Sequence, residues 1–114
     1  MFVAKHKGAR ISAQKVRPLA DLVRGKFVDD ALDILRYQPH RGARMLEAVI
    51  KSAVGNATDP DQNQGRRVSV SNLLVGEVFI DGGPMFKRMR PSGRGMAFII
   101  KKRSSHITVK LEEV

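Results

Sequence analysis

The sequence predicts an α+β fold: a small three-helix body packed on antiparallel strands, from which a long two-stranded β-hairpin protrudes. Apolar residues recur at helical spacing as far as Ala57, and after Arg67 the period changes to that of strands. Residues 82–96 (GGPMFKRMRPSGRGM), between the last strand patterns, hold four glycines and two prolines and cannot bury much of themselves. Helices followed by strands favour α+β over a parallel α/β sheet.

Three helices are predicted in the first half of the chain. The first follows Ser12, a suitable N-cap, and ends at Gly25, while Pro18 predicts a kink or a late start because it removes a backbone donor. The second begins at the pair Asp29–Asp30, whose carboxylates suit the helix dipole, and ends before Pro39. The third is the longest, and its wide apolar stripe predicts the spine of the core. That stripe comprises Met45, Leu46, Val49, Ile50, Ala53, Val54 and Ala57.

Extended chain is predicted before and after these helices. Residues 1–11 interleave apolar and basic side chains, which indicates a short extended arm, and residues 58–67 have turn chemistry throughout. A strand pattern spans residues 68–80, and Ala97–Ile100 and Ile107–Leu111 supply the return. The predicted order is therefore an arm, three helices and two long strands.

We expect one domain, residues 1–114, whose two parts differ in how much surface they bury. Residues 1–75 and 104–114 form the globular body, and residues 76–103 form the extended β-hairpin. The long strand from Asn72 to the turn near Arg90 would have a length of roughly 60 Å at ~3.3 Å per residue. Because two isolated strands are marginally stable in water, ordering this hairpin requires something outside the chain.

Positive charge is concentrated at the two ends of the sequence. The first twenty residues contain five bases and no acid, and eight bases lie between Asp81 and Glu112, again with no acid. Residues 21–81 contain eight bases and nine acids, a net charge of −1, against +10 for the whole chain. A near-neutral middle between two cationic ends predicts a body with two surfaces for a polyanion. The partner could be nucleic acid, an anionic membrane face or an acidic protein, and nucleic acid has the highest charge density of the three.

The composition excludes several other classes of site. The chain has no cysteine, so it has neither disulfides nor a Cys-ligated metal, and His6, His40 and His106 fall at no metal-ligand spacing. We expect no metal, no cofactor and no catalytic residue. The N-terminus is not a secretory signal, and no apolar run approaches the ~20 residues of a membrane span. These features predict a cytoplasmic protein with no membrane partner.

The residues alone leave open two alternatives to a structural protein that binds RNA, which is the function that the resemblance described below implies. The stronger is an architectural DNA-bending protein, because such proteins combine a helical body with basic β-arms that carry a proline near the tip, as Pro91 would. The weaker is a small nuclease that uses His106 with Asp81. A membrane-surface peptide fails because the basic run shows strand alternation and no amphipathic helix.

Several short motifs occur in an order that identifies a family. They are SAQKVR (12–17), ADLVRGK (20–26), KSA (51–53) with NA (56–57), DGGP (81–84), KR (87–88) with Pro91, and KRSSHITV (102–109). Each motif is weak alone, but the ordered set is highly specific. Over essentially the whole chain the sequence resembles the bacterial form of the large-subunit ribosomal protein twenty-two family.

The resemblance implies both a fold and a role. That family has a small α+β body on the outside of the large subunit and a long β-hairpin that runs inward through ribosomal RNA. The hairpin lines the tunnel through which the nascent polypeptide leaves. The resemblance therefore implies a non-enzymatic constituent of the large ribosomal subunit that binds its ribosomal RNA, supports assembly and contacts neighbouring ribosomal proteins. Outside the ribosome we expect a monomer.

The basic runs and the resemblance together assign residues to this role. Near the tip, Ser92 and Met96 stand where the family commonly has arginine, so we expect a less basic tip. The expected ribosomal RNA-binding residues are Lys5, Lys7, Arg10, Lys15, Arg17, Arg24, Lys26, Lys101, Lys102, Arg103 and His106. The expected residues of the hairpin tip, at the tunnel, are Met85, Lys87, Arg88, Met89, Arg90, Pro91 and Arg94.

Overall fold

Helices and antiparallel strands form the α+β architecture that the sequence predicts. The structure is a computed structural model that describes residues 2–59, 68–91, 93–95 and 97–114. Its helices are α1 (Ala13–Val23), α2 (Val28–Arg36) and α3 (Arg41–Thr58). Its strands are β1 (Phe2–Ala9), β2 (Leu73–Gly82), β3 (Phe86–Pro91), β4 (Ala97–Lys102) and β5 (Ser105–Glu113).

An antiparallel sheet in the order β1-β5-β2 forms the centre of the body. Its inner face is apolar because alternate residues of β5, namely Ile107, Val109 and Leu111, point to the same side and are fully buried. Val78 and Ile80 of β2 lie opposite Val109 and Ile107 in the register and are buried with them. The strand alternation in the sequence is therefore the pattern of a sheet with one face in the core.

The three helices cover this apolar face. Helix α1 packs on β2, whereas α3 packs on β1, β5 and both other helices. The prediction that the third helix is the spine of the core is therefore confirmed, although Met45 and Val54 of its stripe are only partly buried. The helical residues in the core include Val16, Leu19, Ala20 and Val23 of α1, Ala31 and Leu35 of α2, and Leu46, Val49, Ile50, Ala53 and Ala57 of α3.

The predicted N-terminal arm is extended, and it is also a strand of the sheet. Strand β1 pairs antiparallel with β5, from Phe2 opposite Leu111 to Ala9 opposite Ser105. Ala4 faces the core and is only 6% exposed. The alternation within residues 1–11 identifies extended chain, but it does not reveal a partner strand at the other end of the sequence.

Several element boundaries differ from the sequence predictions. Helix α1 continues through Pro18 without a late start, because the buried side chains of Val16 and Leu19 offset a proline cost of about 3 kcal/mol. Helix α3 begins at Arg41, before the apolar stripe that identifies it. A short 3-10 turn, Val70–Asn72, precedes β2 where the strand pattern was expected to begin. Of the predicted turn, residues 60–67 lie outside the described part of the chain.

Strands β3 and β4 form a separate two-stranded antiparallel sheet, from Phe86 opposite Lys102 to Pro91 opposite Ala97. The β2–β5 ladder of the body ends where Gly82 faces Ser105. Residues 83–85 and 103–104, which are not strand, therefore separate the two sheets and interrupt the two long strands that the sequence predicts. The molecule is elongated, with principal extents of 64 × 28 × 16 Å.

Candidate nucleic-acid interface

A groove of about 1520 Å³ lies between the body and the base of the hairpin. One wall is formed by the end of β1 and by the N-terminal ends of α1 and α3. The other wall is formed by β3, β4 and the residues that lead into β5. The buried side chains of Ile11 and Leu19 also line the groove. We call it the junction groove.

Eight basic residues line the junction groove, and all eight are exposed. Among the residues that the structure describes, no aspartate or glutamate lines it. The two cationic ends of the sequence therefore meet in one place. The bases are Lys7, Arg10, Lys15 and Arg41 on the body wall, and Arg88, Lys101, Lys102 and Arg103 on the hairpin wall.

The charges of the groove are not neutralised within the described part of the chain. Ion pairs between described residues involve Arg24, Arg44 and Lys110, and none of these lines the groove. Like charges held close together repel one another, and an external anion removes that repulsion. The electrostatics of the groove therefore suit a polyanion.

Two helix N-termini add to this positive potential. The N-cap of α1 is Ser12 and that of α3 is His40, and both residues line the junction groove. Neither side chain caps its own helix, and neither helix has an acid in its first turn. The positive ends of both helix dipoles therefore border the groove without a negative side chain from their own first turns.

His106 lies in the groove with its orientation fixed by the backbone. The Gly8 N–H donates to His106 Nδ1 at 3.0 Å, so the neutral ring carries its proton on Nε2, which remains as a donor. Asp81, the partner that a nuclease would use, faces His106 across the β2–β5 ladder. In a nuclease pair the Asp81 carboxylate would accept a hydrogen bond from His106 Nδ1. Here Nδ1 instead accepts a hydrogen bond from the Gly8 N–H.

Two other kinds of site are missing from the described residues. No group of three or more histidines and acids in this part of the chain is placed to hold a metal ion. None of the described helices is long and apolar enough to span a membrane.

Two of the predicted RNA-binding residues bond to the protein's own sheet. Arg24 donates from Nε and Nη2 to the Val78 carbonyl oxygen at 3.2 and 2.6 Å. Arg17 donates from Nε and Nη2 to the Ile80 carbonyl oxygen at 3.3 and 3.2 Å. Because β2 is an edge strand, these arginines satisfy carbonyl groups that lack a partner strand. The structure brings neither arginine into the junction groove.

Two predicted lysines also lie outside the groove. The Lys26 carbonyl accepts from the Val75 N–H at 2.8 Å, so its backbone covers another part of the β2 edge while its side chain is exposed. Lys5 lies on β1 opposite Thr108 and is exposed. These lysines present charge on other surfaces of the body.

The residues expected at the hairpin tip do not all lie in one place. Arg88 lines the junction groove, as does the nearby Phe86. Lys87 and Met89 do not line it, and Met89 is 74% exposed. Met85 lines a separate cavity of about 390 Å³ beside the start of α1.

Three of the residues predicted for the tip lie at the end of β3 and in the turn that follows it. Arg90 and Pro91 complete β3, and Arg94 lies in the short 3-10 turn Gly93–Gly95. Ser92 and Met96, where the tip was expected to be less basic, lie outside the described residues.

Sequence reasoning missed Arg41 as a groove residue. Arg41 belongs to the near-neutral middle of the chain, so the regional charge balance hid it. In the structure its Nη2 atom donates to the Arg10 carbonyl, which places it on the body wall. A base in the first turn of a helix opposes the helix dipole, and this position was the signal that could have identified it.

The α+β body, the paired hairpin strands and the cationic groove together are typical of a small protein that binds nucleic acid. Residues 4–112 match the family model described as Ribosomal protein L22p/L17e. The chain therefore belongs to the L22p/L17e family of ribosomal proteins. This membership supports neither the DNA-bending nor the nuclease alternative.

Three relatives named large ribosomal subunit protein uL22 are similar to this chain over most of their length. The relative from Rhodopirellula baltica is 68% identical over 113 residues, which is 99% of this chain and 95% of the relative. The relative from Desulfotalea psychrophila is 51% identical, covering 94% of this chain and 93% of its own length. The relative from Caldicellulosiruptor saccharolyticus is 48% identical, covering 92% and 82%.

Proposed function

We propose that this protein is a structural, non-enzymatic constituent of the large ribosomal subunit that binds large-subunit ribosomal RNA. The observation that carries the proposal is the junction groove, where eight exposed bases from distant parts of the sequence meet with no described acid among them. The names of the three relatives support assigning this groove to the RNA of the large subunit. The protein then acts in the cytoplasm, within that subunit.

The mechanism is neutralisation of phosphates from a rigid frame. Folded RNA brings phosphates close together, and lysine and arginine side chains neutralise those phosphates, which releases the counterions bound to the RNA and favours binding. The groove bases are held on two walls, so they fix RNA segments relative to one another and thereby support assembly. Recognition is of shape and backbone, because the deep groove of folded RNA offers side chains little readable sequence.

The hairpin extends this binding away from the body. Within the described part of the chain, β3 and β4 pair only with each other, and a two-stranded ribbon is marginally stable alone. Surrounding RNA therefore orders β3 and β4, and the stem residues Lys101–Arg103 contact it. By family resemblance the tip lines the exit tunnel and meets the nascent polypeptide.

The body supplies the remaining contacts. Residues 1–75 and 104–114 lie on the outside of the subunit, where they meet neighbouring ribosomal proteins. Lys5 and Lys26 add phosphate contacts there, since both side chains are exposed outside the groove. Outside the ribosome the protein is a monomer.

The test measures binding of the full chain to a large-subunit RNA fragment as a function of salt. Lys102→Gln removes a groove charge, and Lys51→Gln removes an exposed charge of α3 outside the groove. We expect Lys102→Gln to weaken binding and to reduce the slope of log affinity against log salt by about 0.7–0.9, with no change for Lys51→Gln. Equal effects of the two variants, or binding no tighter than that of an unstructured peptide of equal charge, would contradict the proposal.

A further inference from the structure

The junction groove carries cations on two walls rather than on one flat surface. A duplex is a convex cylinder with its phosphates outside, so it meets one wall at a time. A single strand is thinner and more flexible than a duplex, so its phosphates can approach both walls at once. The volume of about 1520 Å³ exceeds the ~300–1,000 Å³ of a typical small-molecule pocket and leaves room for more than one nucleotide.

An exposed aromatic ring lies on the hairpin wall of the groove. Phe86 is 55% exposed, and the guanidinium carbon of Arg88 lies 5.7 Å from the centroid of its ring. Ile100 faces Arg88 across the ribbon and also lines the groove. Phosphate binding alone needs no such apolar surface. A cationic groove with an exposed ring and a planar guanidinium is the combination with which proteins bind single strands, because every base has a face that stacks.

We propose that the junction groove binds a single-stranded segment of RNA, with one base stacked on Phe86 and the flanking phosphates between the basic residues of the two walls. This proposal rests on the proposed RNA-binding function and adds the conformation of the bound RNA. The body and the hairpin then bind the same RNA strand, and this binding fixes the angle between the body and the hairpin.

The test uses the full chain and one labelled RNA strand of about eight nucleotides, a length within the range of known single-strand sites. The strand is supplied either alone or annealed to its complement, and its dissociation constant is measured by fluorescence anisotropy. A purely electrostatic groove prefers the duplex, which has the higher charge density. We expect tighter binding of the single strand.

A matched pair of variants tests the stacked base. Phe79 is 45% exposed and has Lys110 Nζ at 5.4 Å from its ring centroid, but it does not line the groove. We expect Phe86→Leu to weaken binding of the single strand about 5- to 150-fold, whereas Phe79→Leu leaves it unchanged and Phe86→Tyr retains it. Because Phe86 is exposed, urea denaturation of the variants should show an intact body.

Two results would overturn the inference: binding of the duplex at least as tight as that of the single strand, or equal losses for Phe86→Leu and Phe79→Leu. The proposed function would still stand if Lys102→Gln weakened binding of large-subunit RNA. If that effect were also absent, both the inference and the proposed function would fall.

Discussion

Gly83 is required by a close approach at the junction of body and hairpin. Its N–H donates to the Ser104 carbonyl at 2.9 Å, and Ser104 Oγ donates to the Pro84 carbonyl at 2.5 Å. A Cβ on Gly83 would lie 2.6 Å from Ser104 Oγ, which is closer than real Cβ atoms come. An added Cβ would push Ser104 Oγ away and break its hydrogen bond to the Pro84 carbonyl, so the close contact cannot be relieved without a loss of stability.

We predict that Gly83→Ala lowers the free energy of unfolding by about 1–3 kcal/mol, the usual cost of overpacking. Urea denaturation measures this change. The control is Gly82→Ala, because a Cβ on Gly82 would meet nothing within 4 Å, and we expect a change within about 0.5 kcal/mol. Equal losses in the two variants would show that the contact with Ser104 is not the cause.

At the scale of single residues, the sequence identifies the charges but not what each one contacts. Lys102 and Arg24 have similar neighbourhoods in the sequence, since each lies in a basic motif. In the structure Lys102 faces the groove, whereas Arg24 donates to a backbone carbonyl of β2. That difference depends on which strand lies at the sheet edge, and a residue pattern along the chain does not determine the order of strands.

Among the elements, α2 depends on an arginine from α3. The helix has only nine residues, fewer than the ~12–15 that an isolated helix needs even for marginal stability. Its last carbonyl groups have no partner within the helix. Arg44 Nη2 lies 2.7, 3.0 and 2.6 Å from the carbonyl oxygens of Leu35, Arg36 and Gln38 and shares its two N–H groups among these three acceptors.

We predict that Arg44→Met lowers the free energy of unfolding by about 1–2 kcal/mol, because charged hydrogen bonds to these carbonyls are lost from a half-exposed site. Lys51→Met removes an exposed charge from the same helix and should stay within about 0.5 kcal/mol. Both are measured by urea denaturation. A similar loss for Lys51→Met would assign the effect to charge on α3 rather than to the cap.

The β2 edge gives a prediction that separates stability from RNA binding. Replacing both Arg17 and Arg24 by lysine keeps the charge but removes the two-atom contacts with Val78 and Ile80. We expect the double variant to lose about 1–3 kcal/mol of unfolding free energy, while the salt dependence of RNA binding stays the same. Unchanged stability with weakened RNA binding would instead make these arginines direct RNA contacts.

The sequence predicts elements better than it predicts their partners. Helical spacing identifies all three helices because their core faces, such as Leu46, Val49 and Ile50 of α3, follow the 3.6-residue period. Alternation likewise identifies Ile107–Leu111 as a strand. The pairing of β1 with β5 is not predicted, because it joins residues at opposite ends of the chain, and the groove that this pairing helps to form is therefore not predicted either.

For the whole molecule, the separation of charge along the chain becomes a separation in space. The N-terminal bases reach the groove because β1 pairs with β5, and the later bases reach it because β4 leads directly into β5. The central strand β5 thus brings the two cationic ends together. Body and hairpin nevertheless differ in burial: the body strands are covered by helices, whereas Phe86 and Met89 on the hairpin are 55% and 74% exposed.

This contrast predicts two levels of stability within one chain, which amide hydrogen exchange measures. In the free protein we expect residues 84–96 to exchange quickly, because an isolated two-stranded ribbon opens at little cost, while Met45–Ala57 of α3 is protected. Ile107–Leu111 is the matched control, since it is also strand but is covered by the core. Adding large-subunit RNA should slow exchange in the hairpin and leave both reference segments unchanged. Protection of the free hairpin equal to that of α3 would show that the ribbon is stable by itself and needs no RNA to order it.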